Sequence, residues 1–401
     1  MNLKIISSVD LKGKKVLLRT DFNVPVKDGA VSDDTRIRES LPTIKLLIAA
    51  GARIAIVSHL GRPKGGVNPE FSLKPVAQKL SELLEQPVMT LDDCVGESVK
   101  STVSVLPEGG IVLLENVRFH PEEEANDPEF AKKLADGFDI YVSDAFGTVH
   151  RAHASTAGVS AFLPSYAGLL VEKEVRVLSS LIENPVHPVC LIVGGAKVDT
   201  KIGILEKFLT LADSFLIGGA LANTFLAAQG VKIGTSLFEP EKVPVAKKFL
   251  EAAKAAGKTV LLPVDAVIAA EVAAGTPVSA VTISEVPDNM KILDIGLESR
   301  KLFAAEIAKS KTIIWNGPMG LNEIPEFAEG TRAVGVAVSE ATASATKTSG
   351  AASVLGGGDT IDAIHALNLD EKSFTHISTG GGAMLEFLEG KDLPGVKVLM
   401  I

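Results

Sequence analysis

Short apolar, β-branched runs alternate along the chain with stretches whose apolar residues recur at helical spacing. The runs predict strands at residues 15–21, 53–59, 111–115 and 140–144, then at 189–194, 214–218, 259–265, 312–316, 353–356 and 375–379. Between them the pattern is helical. After Ser72, a residue suited to cap a helix, Val76, Leu80, Leu83 and Leu84 fall at helical spacing. The strands are apolar without polar alternation, as expected when helices cover both faces of a sheet. The expected fold class is α/β, with doubly wound parallel sheets.

Ten strands are many for one sheet, so two sheets of about four to six are expected. The best divider is a helix over 169–183, with Val171, Val175, Leu178 and Ile182 on one stripe and Asn184-Pro185 stopping it. A length of 401 residues agrees with two to three domains. The expected division is an N-terminal domain at 1–170, an interdomain helix at 171–185, a C-terminal domain at 186–385 and a tail at 386–401.

Charge and composition narrow the partners. Forty basic against 49 acidic residues give a net charge of -9, which argues against nucleic acid or an anionic membrane as a broad partner. With 46% hydrophobic and 22% charged residues the chain is not disordered. Mean hydropathy is high, at +0.28. The longest uncharged stretch, 214–231, reaches the length of a membrane span, about 18 residues. It contains Gly218, Gly219, Asn223, Thr224 and Gln229, and predicts instead a strand, a glycine turn and a helix. The first residues show no apolar run with a cleavage site, so a cytoplasmic protein is expected. Two cysteines, Cys94 and Cys190, cannot build a disulfide framework or a thiolate cage and suit a reducing compartment.

In open parallel sheets ligands bind beyond the carboxyl ends of the strands. In the first half those ends carry Arg19-Thr20-Asp21-Phe22-Asn23, Ser58-His59-Leu60-Gly61-Arg62, Asn116-Val117-Arg118 and Asp144-Ala145-Phe146-Gly147, and then His150-Arg151-Ala152-His153, with Arg36 in the loop after the first strand. Arginine forks match phosphate and carboxylate, so Arg36, Arg62, Arg118 and Arg151 with His59 suit one small polyanion. In the second half the ends are glycines: Gly194-Gly195, Gly218-Gly219, Asn316-Gly317, Gly356-Gly357-Gly358-Asp359-Thr360 and Gly380-Gly381-Gly382. Glycine turns that open helices offer free N–H groups to phosphates, and the Asp359 carboxylate can hold Mg²⁺ beside them. Lys197 and Lys201, four apart, are expected to share a helical face and offset phosphate charge.

Other signatures are missing. There is no Walker A sequence and no Gly-x-Gly-x-x-Gly fingerprint, which argues against a dinucleotide-dependent dehydrogenase. His150 and His153 could ligate a metal, but no obvious third ligand follows. A bilobed small-molecule binding protein would use the arginines but not Lys197, Lys201 and Asp359. The reading from residues alone is one lobe for a small acid and one for a Mg-nucleotide.

The chain resembles the phosphoglycerate kinase family over nearly its full length. The resemblance rests on Arg19-Thr20-Asp21-Phe22-Asn23-Val24-Pro25, His59-Leu60-Gly61-Arg62-Pro63-Lys64-Gly65, Glu115-Asn116-Val117-Arg118-Phe119, Asp144-Ala145-Phe146-Gly147-Thr148 and His150-Arg151-Ala152-His153-Ala154-Ser155. It continues through Gly194-Gly195-Ala196-Lys197-Val198, Trp315-Asn316-Gly317-Pro318-Met319-Gly320, Gly356-Gly357-Gly358-Asp359-Thr360 and Thr379-Gly380-Gly381-Gly382-Ala383, all in the family's order.

The resemblance implies two Rossmann-like domains joined by a hinge helix, and reversible phosphoryl transfer between 1,3-bisphosphoglycerate and MgADP, giving 3-phosphoglycerate and MgATP. It implies that Asp21, Asn23, Arg36, His59, Arg62, Arg118 and Arg151 hold the glycerate. Arg36, Lys197, Gly380 and Gly381 would act on the moving phosphoryl group. Gly195, Lys197, Lys201, Gly219, Asn316, Glu323, Gly357, Gly358, Asp359 and Thr360 would hold the nucleotide, with Asp359 toward Mg²⁺. It implies a monomer whose tail, Leu393-Pro394-Gly395-Val396, returns to the N-terminal domain. Four departures stand out. Ala220 replaces a third glycine, and residues 288–292 replace a stretch that usually carries Gly-Trp-Met. Leu321-Asn322 replaces Val-Phe, and Ser143 replaces the asparagine before Asp144. The first three lie near the nucleoside side.

Overall fold

The computed structural model describes residues 1–343 and 350–401. The chain forms two compact units, Met1–Ser179 with Lys391–Ile401, and Ser180–Gly390. It passes from one to the other inside the helix Leu169–Glu183 and again after Gly390.

The first unit is built on a six-stranded parallel sheet. Its order is Met89–Thr90, Ile111–Leu113, Arg53–Val57, Lys15–Arg19, Ile140–Ser143 and Ser165–Ala167. The apolar runs follow from burial on both faces. In the first strand Val16 and Leu18 pack with Ile37, Ile44 and Leu47 of the helix Thr35–Ala49. Leu17, pointing the other way, packs with Val99, Phe130 and Leu134 of two further helices. Successive strand side chains alternate between faces, so two cores demand an unbroken apolar strand. The tail joins this unit: Gly395 N–H donates to Val149 O at 2.8 Å, Lys4 N–H to Leu399 O at 2.8 Å, and Leu399 is fully buried.

The second unit has a six-stranded parallel sheet ordered Thr259–Leu261, Ser214–Ile217, Val189–Val193, Thr312–Asn316, Ala352–Gly356 and His376–Ser378. In chain order this is 3-2-1-4-5-6, the Rossmann arrangement, with its switch point between Val189–Val193 and Thr312–Asn316. Cys190, Ile192, Ile313 and Trp315 form one core with Phe303, Ile307, Val334 and Val338 from two helices. The Trp315 indole donates to Gly317 O at 2.8 Å, which satisfies its one polar atom inside that core.

The structure departs from the expectations in two places and bears out a third. The expected strand 259–265 breaks at Pro263: Thr259–Leu261 stays in the parallel sheet, while Asp265–Ala269 starts a separate antiparallel sheet with Ser279–Thr282 and Lys291–Ile295. Leu73, not Ser72, occupies the N-cap of the helix Lys74–Leu84; Ser72 Oγ still receives the Lys74 N–H at 3.3 Å. The stretch 214–231 is a strand and the helix Gly219–Ala228, and among the described residues no helix is long and apolar enough to cross a membrane.

Candidate active site

In the first unit the strand carboxyl ends assemble a basic cluster around one imidazole. Arg19 ends its strand almost wholly buried. Its Nε donates to Ser155 Oγ at 2.8 Å, one terminal nitrogen donates to Thr20 O, and Nη2 lies 3.3 Å from His59 Nδ1. His59 is itself buried, and Asp21 Oδ1 lies 3.9 Å from Nδ1. Arg36 forms an ion pair with the other oxygen of that carboxylate. Arg118 is buried; it donates to Gly61 O at 2.9 Å and stands 3.2 Å from Glu124. Burial, and then the charges of Arg19, Arg118, Arg36 and Arg151, hold the His59 imidazole well below its usual range. The cluster therefore surrounds a neutral histidine and carries a surplus of positive charge.

Behind it, Glu123 is fully buried and orients the ring of contacts. It accepts from Ser155 N–H at 2.8 Å and Ser155 Oγ at 2.6 Å, and lies 3.8 Å from His153 Nδ1. Burial and the neighbouring arginines pull His153 down to about 4. His150 Nε2 takes an Arg151 N–H at 3.2 Å, so this histidine pair is engaged with its own arginine and carboxylate neighbours.

In the second unit the glycine ends meet at the switch point. Gly219 has φ +64°, and a Cβ there would sit 2.6 Å from Gly195 O and 3.0 Å from Pro318 O. A Cβ on Gly194 would fall 2.0 Å from Pro318 O. These glycines let three backbone segments press together. Gly195, Gly358 and Gly381 are different, since a Cβ at each meets nothing within 4 Å. Lys201, half-buried, donates to Asn316 Oδ1, and Asn316 Nδ2 donates to Gly356 O at 2.5 Å. Burial lowers the Lys201 pKa against the pull of Asp359 and Glu389. Asp359 is exposed in the first turn of the helix Gly358–Ala366, an oxygen ligand suited to a hard cation that also holds phosphate.

Beside this meeting point lies a cavity of about 550 Å³, bounded by Gly219, Leu237, Pro263, Ile292, Met319 and Glu323 among others. Asn223 also lines it: its Nδ2 donates to Leu237 O at 3.0 Å, and its buried Oδ1 has no partner. One apolar pocket with a few fixed polar groups, next to a lysine, a carboxylate and open glycine turns, is the form of a nucleotide site.

Comparison with known proteins agrees. The family model described as phosphoglycerate kinase matches residues 6–391. The chain is 53% identical over 390 residues to the phosphoglycerate kinase of Dictyoglomus turgidum, covering 97% of this chain and 96% of that one. It is 49% identical over 400 residues to that of Pelotomaculum thermopropionicum, with full coverage of both.

The chain belongs to the phosphoglycerate kinase family.

It is a phosphotransferase whose acceptor is a carboxyl group, a glycolytic kinase. Among solved structures, the phosphoglycerate kinase of Coxiella burnetii matches with a TM-score of 0.87 at 43% identity, covering 99% of this chain and 98% of that one. That of Pyrococcus horikoshii matches at 0.82 and 32% identity, with the same coverage.

The expected site residues fall into place unevenly. Asp21, Arg36, His59, Arg118 and Arg151 gather in the basic cluster. Asn23 Oδ1 is engaged with the Gly61 N–H at 2.8 Å, and Arg62 stands exposed beside that glycine. The helical face expected for Lys197 and Lys201 is absent, because the helix begins only at Ile202. Glu239 takes the Val198 N–H, and the segment before the helix runs as turns, so exposed Lys197 lies outside it. Thr360 is fully buried; its hydroxyl donates to Gly356 O at 3.0 Å and accepts from Gly317 N–H at 2.7 Å. It ties two strand ends together here. Gly380 N–H donates to Ser378 Oγ at 3.1 Å, while Gly381 caps the helix Gly382–Leu388. The family departures Ala220, Ile292, Leu321 and Asn322 all line the nucleotide-type cavity. Arg19, read from the sequence as a strand-end group, lies buried at the heart of the cluster. One participant went unread: Asn223 sits inside an apolar helix, where nothing marks it out.

Proposed function

We propose that the first unit binds the phosphoglycerate substrate and the second binds ADP or ATP with Mg²⁺. The observation that carries this is the pairing of two unlike clusters. One gathers four arginines about a neutral histidine, and the other sets Lys201 and Asp359 beside an apolar cavity. Arg36, Arg118 and Arg151 neutralise the glycerate phosphate and carboxylate, with Asp21, Asn23, His59 and Arg62 setting orientation. Glu323 and Asn223 hold the nucleoside, while Gly195, Gly357 and Gly358 offer backbone donors beside Lys201 and Asn316. Asp359 would hold Mg²⁺, which supplies charge neutralisation across the phosphates.

The reaction is read as in-line transfer of the acyl phosphate of 1,3-bisphosphoglycerate to ADP. The attacking oxygen is a phosphate in one direction and a carboxylate in the other. Both are ionised at neutral pH, a free carboxyl having a pKa of roughly 4. No general base is required, and neutral His59 with its ring nitrogen held by Arg19 is suited to orientation alone. Arg36 and Lys197, with N–H groups near Gly381, stabilise the charge that develops. The ligands must be brought into line with water excluded, so closure of the units about Leu169–Glu183 is part of the proposal. We read the enzyme as a cytoplasmic monomer; both cysteines are free and buried.

Calorimetry on single-cluster variants tests the assignment. Arg118→Ala should weaken 3-phosphoglycerate at least tenfold and leave MgADP unchanged, and Asp359→Ala should do the reverse. Equal losses of both ligands in either variant would contradict the division.

A further inference from the structure

Away from both clusters, three side chains with metal-ligand chemistry converge at the edge of the first sheet. Asp93, Cys94 and His120 bring one donor atom each to within 4.8 Å of one another. Asp93 and Cys94 follow the edge strand Met89–Thr90, and His120 follows the neighbouring strand Ile111–Leu113 by way of the short turn Val117–Phe119. The donors therefore sit beyond the carboxyl ends of two paired parallel strands, where such sheets place ligands.

We propose that Cys94 Sγ, His120 Nε2 and a carboxylate oxygen of Asp93 form a binding site for a borderline-soft divalent cation, Zn²⁺ being the best fit, with water completing the shell. The donor set decides the metal. Thiolate and imidazole suit Zn²⁺, whereas Mg²⁺ prefers oxygen alone, so the site would not compete for the nucleotide's cation.

The groups are already oriented. His120 Nε2 and Asp93 Oδ1 are 2.8 Å apart. The imidazole packs against Phe130 with ring centroids at 4.9 Å. Asp93 Oδ1 also accepts the N–H groups of Cys94 at 2.6 Å and Val95 at 3.4 Å, which fixes the carboxylate over the thiol. Tetrahedral ligands at zinc distances lie roughly 3.5 Å apart, so the His120–Asp93 contact opens by well under an ångström as each partner turns to the metal. Cys94 is buried, and its thiol sits in the field of Asp93 and Glu123. Binding forms the S–Zn bond and releases the thiol proton to solvent.

A metal here would fasten the loop after Met89–Thr90 to the segment that carries Arg118, two residues before His120. It is a structural link to the substrate cluster and not a part of it.

The test uses the full chain free of nucleotide. Equilibrium dialysis should find one Zn²⁺ per chain at micromolar concentration, undisturbed by millimolar Mg²⁺. Co²⁺ should give a thiolate-to-metal charge-transfer band. His120→Gln, at a partly exposed position, should weaken zinc at least tenfold with ATP formation unchanged, and Cys94→Ser should remove the cobalt band. If Cys94→Ser does not fold, His120→Gln decides alone. No zinc at micromolar concentration, displacement by Mg²⁺, or undiminished binding in a folded variant would overturn the site.

Discussion

Arg19 Nη2 lies 3.3 Å from His59 Nδ1, inside a pocket that both residues help to bury. A guanidinium can only donate, so Nδ1 must be the acceptor and the imidazole proton sits on Nε2. His59 thus presents a donor, not a base, to whatever binds among the arginines.

That arrangement predicts that His59 stays neutral well below its ordinary pKa of 6.5. Burial and four arginine charges hold its folded pKa well below the unfolded value of 6.5. In the window between those values the unfolded chain binds the extra proton. The stability gained from the neutral group is therefore present above pH 6.5 and declines as pH falls. Nitrogen-15 spectra of the ring should show one pyrrole-type Nε2 throughout; an imidazolium at pH 6 would contradict the assignment.

Replacing Arg36 removes the partner of Asp21 and one charge facing the substrate. Arg36→Ala should lower kcat by about 10²–10³, in line with loss of one charge-stabilising donor, with little change in MgADP affinity. It should also raise the His59 pKa, because an unpaired Asp21 carboxylate is left 3.9 Å away. Saturating kinetics and the same ring titration check both halves; unchanged turnover would contradict the role.

Gly219→Ala should be costly where Gly358→Ala is not. At 219 the new methyl meets Gly195 O at 2.6 Å and the backbone has φ +64°, while at 358 the φ is not positive and a methyl meets nothing within 4 Å. Overpacking with backbone strain suggests about 2–4 kcal/mol against roughly none. Urea unfolding of the two variants would decide, and equal losses would contradict the close approach of the three backbones.

Much of this was legible in the residues, because the strands are buried on both faces and announce themselves as unbroken apolar runs. Lys15–Arg19 and Thr312–Asn316 are clear for that reason. Met89–Thr90 was not, since an exposed two-residue edge strand has no pattern to show. The antiparallel sheet around Asp265–Ala269 was hidden because Ser279–Thr282 is mostly exposed and polar. In the site, charged side chains after strands pointed to Arg36 and Arg118 directly. Glycine was more ambiguous: Gly194 and Gly219 serve backbone packing, while Gly195, Gly358 and Gly381 are open. The Thr360 hydroxyl also bonds Gly356 O and the Gly317 N–H, a tertiary contact that spacing cannot reveal.

Asp144 makes stability depend on pH. Burial pushes its carboxyl up to about 7, against hydrogen bonds from Thr43 and the N–H groups of Leu170 and Val171 at the start of Leu169–Glu183. A raised folded pKa means stability is full below the unfolded value of 3.8 and is lost as pH rises through about 7. Asp144→Asn keeps an acceptor for Leu170 and removes this loss, which is of the order of 4 kcal/mol at pH 8. Its Tm should therefore fall less than the parent's between pH 5 and pH 8. Parallel curves would contradict the buried titration.

The most direct measurement is ATP formation from enzymatically generated 1,3-bisphosphoglycerate by the parent chain and by Arg36→Ala and Asp359→Ala. Turnover should require the acyl phosphate, ADP and Mg²⁺ together. It should fall sharply in both variants, while each still binds the ligand of the other unit. Full turnover in either variant, or ATP formed without Mg²⁺, would contradict transfer between a substrate held by the arginine cluster and a nucleotide held beside Asp359.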